Sequence, residues 1–391
     1  MRCVLDFPKR WRWGGCILLL SCVLADPAAG EAQETAIRPL PPLTSEQIRR
    51  VRAIAARAPA ADTRLFMKIG DSMTVNQNYL RCFAASRVEL GAHAELEEGR
   101  QFFRAGSPNP FRRRSLAARV GWSTNHVLAG RPSPLRREYV ALRPRFATLM
   151  LGTNEVESRA PRRFARRIWR ILDELTSRGV VPLTSAIPPR GDDPDEDAWV
   201  PHYNLILRGL SEGRDLPFYD LHADYLDLPE RGLAHDGVHA NVRMVGRRMR
   251  ACDFSPEGLR FGHNVRNLRT LQHLDRLRRM IVGEDVEFVS ASPPSPETHH
   301  GVELGSLPLV KVTPLVGPEP LHFSFTVAEE GRVRILAVAK EGNRLEIELE
   351  GHGHPRRTSL TKVLEPGNYR LTVRGASRTD TEMLLVIDRP T

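Results

Sequence analysis

The sequence has little lysine and lacks several motifs that accompany nucleic-acid or metal binding. Lysine occurs at five of 391 positions, so arginine carries nearly all the positive charge behind the net charge of +10. The arginines are spread along the chain, with local clusters at 112–114 and 162–163, and no aromatic ladder, basic arm or zinc-ligand spacing accompanies them. Dispersed charge of this kind argues against a nucleic-acid partner. We predict no nucleic-acid partner, no metal and no cofactor.

Long apolar runs are also scarce, and the N-terminal one is too short for a comfortable transmembrane span. Residues 16–25 are almost wholly apolar, follow a basic stretch at 2–12 and precede small residues at 28–30. This layout is typical of a secretory signal, although a short retained membrane anchor would have a similar pattern. We predict that residues 1–32 form a signal and that the protein is exported to the periplasm, the cell surface or the medium.

Cysteine is rare, and three of the cysteines bear on processing or on disulfide formation. The stretch 19–22 resembles a bacterial lipobox, which would place a lipid on Cys22 and tether the protein to a membrane surface; ordinary signal cleavage is the alternative. Cys82 and Cys252 are the only cysteines in the body of the chain. After export they either form a disulfide or remain two buried thiols.

Short apolar strands alternate with helical patterns through the first two thirds of the chain. Residues 33–60 are predicted to form a linker and a lead-in helix, and residues 61–284 a catalytic domain with a C-terminal helix. The alternation of strands and helices predicts a doubly wound α/β fold with a parallel sheet. The predicted strands are 65–69, 115–120, 146–151, 180–187 and 217–221.

Three further segments of this domain are predicted as helices. Residues 75–90 have apolar residues at helical spacing, and a helix is expected through Val245 and Met249. The arginine-rich stretch 254–280 has leucines three residues apart, which predicts an amphipathic helix with a solvated face.

The C-terminal quarter has a different periodicity. Residues 285–306 are rich in proline, serine and threonine and are predicted to be a linker. Beyond them, short segments such as 322–327 and 345–349 alternate or run apolar without helical spacing. Five such strands predict that residues 307–391 form a smaller all-β sandwich.

Polar groups capable of acyl-transfer chemistry follow several predicted strands. The Gly-Asp-Ser sequence ending at Ser72 would, by itself, be an ordinary turn. However, His239 could accept the Ser72 proton, Asp236 could orient the imidazole, and Asn154 could stabilise an oxyanion. Their order along the chain makes a shared site the preferred interpretation.

This order of blocks resembles the SGNH hydrolases, also called GDSL-type, over roughly residues 64–250. The resemblance implies a flavodoxin-like fold with Ser72 as nucleophile and Asp236 and His239 as its partners. It also implies an oxyanion hole formed by the backbone N–H groups of Ser72 and Gly121 together with Asn154. Gly106 and Gly130 lie near the second block as alternatives to Gly121. Glu155 stands where many members have aspartate. The C-terminal segment 364–369 resembles a bacterial pre-peptidase C-terminal β-sandwich.

Together with the signal-like N-terminus, the resemblance predicts an exported serine esterase that forms an acyl intermediate on Ser72. The expected substrate is an O-acyl ester, preferably acetyl, of a polysaccharide or a related small molecule. A lipid esterase remains open within this class of enzyme. A surface-binding protein without catalysis, acting through the sandwich, is the alternative from another class.

Overall fold

The computed structural model describes most of the chain after the predicted signal. The described residues are 37–283, 288–289, 302–315, 319–341, 344–352, 358–375 and 381–390. The predicted signal, the lipidation site at Cys22 and most of the predicted linker 285–306 lie outside them. Thr35–Thr391 forms one compact unit.

The described elements occur in the order expected of an α/β region followed by an all-β region. The helices are α1 (Ser45–Ala56), α2 (Ser72–Val75), α3 (Glu97–Arg104), α4 (Thr124–Leu128), α5 (Pro134–Leu142), α6 (Pro161–Ser177), α7 (Pro194–Asp197), α8 (Val200–Glu212), α9 (Leu221–Leu226) and α10 (Gly262–Val282). The strands before residue 290 are β1 (Leu43–Thr44), β2 (Asp62–Gly70), β3 (Pro144–Met150), β4 (Val181–Ser185), β5 (Phe218–Tyr219), β6 (Arg243–Val245), β7 (Arg248–Arg250) and β8 (Phe288–Val289). Short 3-10 helices cover Arg81–Ala84, Gly91–Leu96, Pro229–Gly232 and Gly258–Arg260.

A four-stranded parallel sheet in the order β2-β3-β4-β5 forms the centre of the first region. Every residue of β3 is buried, as expected for a strand covered on both faces. The helix α6 that follows begins with Pro161, which suits the first helical turn, and buries an apolar stripe that includes Ile168 and Leu172. The α/β fold class is confirmed.

The predicted second strand, 115–120, is wrong as a full strand. This segment contributes one parallel bridge, between Ala118 and Gly70, on the outer side of β2. The Gly70 N–H donates to the carbonyl of Ala117, and the Arg119 N–H donates to the carbonyl of Gly70. This single bridge nevertheless fixes the segment beside the end of β2.

Two helix predictions are also wrong. The stretch 75–90 forms turns and the 3-10 helix Arg81–Ala84, because its apolar side chains are buried from several directions rather than along one helical face. The stretch through Val245 and Met249 forms the β6–β7 hairpin. Gly246 at its turn has φ of +60°, a conformation that favours glycine and a tight reversal.

The arginine-rich helix α10 exists but lacks the solvated face that was predicted. It is buried on nearly all sides, and its charged side chains are held by partners. Arg269 makes two hydrogen bonds of 2.7 Å to the Asp224 carboxylate. The Arg278 side chain binds Asp275 and Glu98. Within the described residues, no helix combines the length and apolar character needed to cross a membrane.

The C-terminal region is the expected β-sandwich. Its strands are β9 (Val302–Ser306), β10 (Leu309–Leu315), β11 (Leu321–Val327), β12 (Gly331–Ala339), β13 (Leu345–Leu349), β14 (Ser359–Leu364), β15 (Gly367–Gly375) and β16 (Thr381–Asp388). They form two four-stranded sheets, β10-β16-β12-β14 and β13-β15-β11-β9. The strands β8 and β9 fall within the stretch predicted to be a linker.

One sheet of the sandwich is buried on both faces. Alternate residues of β12 and β16, such as Ile335 and Leu385, point into the sandwich core, while Leu336 and Leu384 join the core of the α/β region. The helix α8 packs against β10 and β16, and α6 packs against β12. This double burial explains why β12 and β16 have continuous apolar runs while β11 and β13 alternate.

Candidate active site

The turn after β2 places Ser72 at the first position of α2. Asp71 is the N-cap, and its Oδ1 accepts a 3.0 Å hydrogen bond from the Met73 N–H. Gly70 is required at the end of the strand, because a Cβ there would lie 2.0 Å from the Thr74 hydroxyl and 2.9 Å from the Met150 carbonyl oxygen. The tight turn leaves Ser72 half-buried, with its hydroxyl free to meet a second loop.

His239 and Asp236 reach Ser72 from a loop 167 residues further along the chain. The His239 Nε2 lies 2.8 Å from the Ser72 Oγ, and its Nδ1 lies 2.7 Å from the Asp236 Oδ2. The structure therefore brings the three predicted side chains into one chain of hydrogen bonds. Its direction requires the hydroxyl to donate to Nε2 and the Nδ1–H to donate to the carboxylate.

The Asp236 carboxylate also fixes its own loop. Its Oδ1 accepts from the backbone N–H groups of Val238 and His239 at 3.0 and 2.9 Å. Partial desolvation works against the charged form, but these hydrogen bonds and the imidazole outweigh it and lower the pKa of Asp236 to about 2. Asp236 is therefore ionised throughout the neutral range.

The predicted oxyanion-hole residues lie on two adjoining loops. Gly121 occupies an exposed turn with φ of +73°. Asn154 follows β3, and its Nδ2 donates a 2.9 Å hydrogen bond to the carbonyl of Trp122. Because this hydrogen bond joins Asn154 to the Gly121–Trp122 turn, the two loops form one continuous rim. Among the described residues, neither Gly106 nor Gly130 adjoins a residue that is hydrogen-bonded to the Asn154 side chain.

Glu155 supports the same rim from below. Its Oε1 accepts a hydrogen bond from the Thr124 N–H, at the start of α4, while its Oε2 has no partner among the described residues. Burial raises the pKa of Glu155 to about 7, although the hydrogen bonds from Thr124 lower it. Asn154 and Glu155 thus hold both sides of the short segment 122–124.

A buried layer of charge lies behind the nucleophile and was not predicted from the sequence. Arg266 of α10 donates a 2.7 Å hydrogen bond to the carbonyl of Met73, and its guanidinium lies 3.8 Å from the Tyr79 ring centroid. Burial raises the pKa of the neighbouring Asp71 to about 6, an effect that the Arg266 charge opposes. The leucine spacing of α10 gives no signal that Arg266 would face inward.

Cys82 and Cys252 form a disulfide, with Cα atoms 6.1 Å apart. It joins the 3-10 helix Arg81–Ala84 to the chain just after the β6–β7 hairpin. Asn267 reinforces this junction, since its side chain binds the carbonyls of Asn78 and Ala251. In the part of the chain that the structure describes, no three His, Cys, Asp or Glu side chains converge as a metal site would require.

Comparison with known proteins gives one family match. Residues 69–244 match the family model described as the GDSL-like lipase/acylhydrolase family. No curated protein matches the chain.

Several solved structures are similar to parts of the chain. A GDSL-like lipase from Bacteroides thetaiotaomicron is 13% identical, covers 59% of this chain and 98% of its own, and has a TM-score of 0.37. A catalytic mutant of an acetylxylan esterase from Geobacillus stearothermophilus is 16% identical, covers 54% and 93%, and has a TM-score of 0.34. The pre-peptidase C-terminal domain of a Bacillus anthracis collagenase is 19% identical, covers 24% and 98%, and has a TM-score of 0.20.

Proposed function

We propose that this protein removes acetyl groups from the hydroxyls of a carbohydrate. The premise is that residues 69–244 match the GDSL-like lipase/acylhydrolase family, whose chemistry is that of an ester-hydrolysing serine hydrolase. The observation that carries the mechanism is the chain of hydrogen bonds from Asp236 through His239 to Ser72. In this proposal these residues form a catalytic triad, and the acyl group passes through Ser72.

In the first half-reaction, the Ser72 Oγ attacks the ester carbonyl carbon as its proton moves to the His239 Nε2. Asp236 stabilises the resulting imidazolium through Nδ1. Collapse of the tetrahedral intermediate breaks the bond to the alcohol, which takes the proton from Nε2. Water then gives a proton to the same nitrogen and attacks the acyl-Ser72 carbonyl carbon. Collapse of this second tetrahedral intermediate breaks the bond to the Ser72 Oγ, which takes the proton back from Nε2, and the carboxylic acid is released.

The oxyanion is stabilised by donors on the rim described above. The amide of Asn154 has two N–H bonds, and the one used on the Trp122 carbonyl orients the group so that the other can point to the developing charge. The backbone N–H groups of Ser72 and Gly121 complete the proposed hole.

The openness of the site supports a bulky alcohol. The His239 and Asp236 side chains are 35% and 53% exposed, so the site can accept an ester that projects from a large molecule. Trp122 is half-buried and stacks on His126 near this rim, with ring centroids 6.2 Å apart. Flat side chains of this kind suit contacts with a sugar ring.

Export is part of the proposal. Its support is the signal-like sequence at 1–32 together with the Cys82–Cys252 disulfide, because disulfides persist mainly in oxidising compartments. Tethering by a lipid on Cys22 follows from the lipobox-like sequence. Mass spectrometry of the mature N-terminus tests both, and an unmodified N-terminal residue beyond Cys22 would contradict lipidation.

Hydrolysis of p-nitrophenyl acetate tests the mechanism. We expect Ser72→Ala to lower kcat by at least about a thousand-fold, because the nucleophile is lost while binding groups remain. The exposed Ser86 provides a matched control, and Ser86→Ala should retain full activity. A fluorophosphonate probe should label Ser72, as located by mass spectrometry. Equal rates for Ser72→Ala and the unaltered protein, or labelling at another residue, would refute the assignment.

A further inference from the structure

An open groove of about 1200 Å³ runs between α5 and α6 and is lined by arginines. Arg131, Arg136 and Arg137 come from α5 and the loop before it, and Arg170 comes from α6. The floor between them is apolar and includes the exposed side chains of Leu116 and Val140, which are 47% and 60% exposed. Apolar contact and positive charge therefore occur together in one concave surface.

The positive charge of the groove is not neutralised within the described protein. None of the four arginines has a carboxylate within salt-bridge distance among the described residues. The acidic side chain that lines the groove, Glu174, pairs instead with Arg178 at 3.5 Å. Elsewhere in the described protein, arginines such as Arg113 and Arg269 bind carboxylates. The groove is therefore complementary to an anionic ligand.

The groove begins near the edge of the sheet that bears Ser72. The helix α5 ends at Leu142, two residues before β3 begins at Pro144, so it runs back along the sheet and its N-terminus lies near the carboxyl ends of the strands. The helix α4 begins two residues after Trp122 of the oxyanion rim and ends at Leu128 in the groove wall. A chain-like ligand could extend from Ser72 past Trp122 into the groove.

A second depression of about 520 Å³ adjoins the groove and adds further arginines, although Asp173 and Glu341 also line it. It shares Arg170 with the groove and includes Arg163 and Arg167 of the same helix face. Positive groups thus follow one another over about two turns of α6, or about 10 Å, a length greater than that of one small anion.

We propose that this groove, the α5–α6 groove, binds an acidic polysaccharide that carries carboxylates along its length and presents its O-acetyl groups to Ser72. Guanidinium groups bind carboxylates through paired hydrogen bonds, and the apolar floor accommodates the C–H faces of sugar rings. A concave track fits a linear glycan better than a flat lipid surface. The substrate class rests on the proposed esterase function, but binding of the glycan does not require catalysis.

Binding to full-length protein bearing Ser72→Ala tests this proposal without turnover. Isothermal titration calorimetry would compare an oligogalacturonide, which is carboxylated, with a neutral xylo-oligosaccharide of equal length. We expect the oligogalacturonide to bind, its affinity to fall as sodium chloride rises, and the neutral oligosaccharide to bind at least about ten-fold more weakly. Adding Arg136→Glu and Arg137→Glu should weaken oligogalacturonide binding by about 100-fold, at about ten-fold or more for each charged hydrogen-bonding group.

The control changes the net charge equally at a distance from the groove. Arg87 and Arg260 are exposed and have no carboxylate partner among the described residues, so Arg87→Glu with Arg260→Glu should leave affinity within about three-fold. Equal loss in both double variants would overturn the proposal, because it would indicate attraction to net charge alone. So would tighter, groove-dependent binding to phosphatidylglycerol vesicles or duplex DNA with no binding to the oligogalacturonide.

The esterase assay separates this proposal from the proposed function. With Ser72 intact, hydrolysis of p-nitrophenyl acetate tests the esterase alone, since that substrate is too small to reach the groove. An inactive unaltered protein whose Ser72→Ala form still binds the oligogalacturonide would refute only the esterase. An active esterase that binds both oligosaccharides equally would refute only the groove.

Discussion

Two neighbouring carboxylates at the site differ in environment and therefore in role. Asp71 is adjacent to Ser72 in sequence, yet it is buried, has a pKa raised by burial to about 6, and serves as the N-cap of α2. Asp236 is half exposed and ionised, and it alone binds the imidazole. The resemblance to the SGNH hydrolases separated these two residues from the sequence, because in that family the last block supplies both the acid and the histidine, here Asp236 and His239.

The charge of Glu155 should make stability depend on pH. Burial raises its pKa from 4.5 to about 7 in the folded protein, so between these values the folded state holds a proton that the unfolded state has released. Stability then falls as pH rises through this range, by on the order of 3 kcal/mol in total. Glu155→Gln keeps an acceptor for the Thr124 N–H and removes the charge, so its free energy of unfolding should exceed that of the unaltered protein at pH 8 but not at pH 5.

Urea unfolding at both pH values measures this difference. The exposed Glu157 is the matched control, and Glu157→Gln should follow the pH dependence of the unaltered protein. If Glu155→Gln also followed it, the folded state would not hold the proton at Glu155.

Helix α10 illustrates what sequence periodicity can and cannot predict about an element. Its existence and approximate position followed from the leucine spacing, as the position of β3 followed from its apolar run. Its burial did not follow, because an arginine on a solvated face and one paired with a distant aspartate produce the same local sequence. The carboxylate that binds Arg269 lies 45 residues away, in α9. The β6–β7 hairpin was missed because its turn depends on one glycine within a short segment.

Breaking the pair between α9 and α10 should reveal the cost of this burial. Asp224 and Arg269 have side chains that are 10% and 4% exposed. Asp224→Asn leaves a buried guanidinium without its counter-charge and should lower the free energy of unfolding by about 3 kcal/mol. Asp227→Asn is the control, because Asp227 and its partner Arg38 are 59% and 54% exposed and the change should cost less than about 1 kcal/mol. If both variants lost a similar free energy of unfolding in urea, the buried pair would contribute no more to stability than the exposed pair.

At the scale of the whole molecule, the sandwich shares a core with the α/β region. The sequence predicted two regions from their different periodicities, but it could not show that one sheet would be covered by α6 and α8. That contact depends on residues far apart in the chain, such as the guanidinium of Arg334, which lies 3.9 Å from the Trp199 ring centroid. We therefore expect the two regions to stabilise each other.

A glycine in α8 tests this shared core. A Cβ on Gly209 would lie 2.1 Å from the Val310 Cγ2 and 3.0 Å from the Leu384 Cδ1, both in the sandwich. In an exposed helix, glycine to alanine stabilises by about 1 kcal/mol. Here, overpacking should reverse the sign, and Gly209→Ala should destabilise the protein by about 1–3 kcal/mol in urea unfolding.

Val310→Ala provides the compensating change. Gly209→Ala should lower the free energy of unfolding less in the Val310→Ala background than in the unaltered protein. The reason is that Val310→Ala removes the methyl groups with which the new Cβ would collide. An increase in stability with Gly209→Ala alone would mean that α8 and the sandwich do not pack closely in solution.

The Cys82–Cys252 disulfide closes a loop of 170 residues that contains Asn154, Asp236 and His239 but excludes Ser72. A single protease cut within the loop therefore releases no fragment. If the exposed acidic stretch 191–195 were cleaved, Ser72 and Asn154 would lie on one polypeptide and His239 on the other, with one covalent bond still joining them. Such a nicked enzyme would migrate as a full-length chain in electrophoresis until it was reduced.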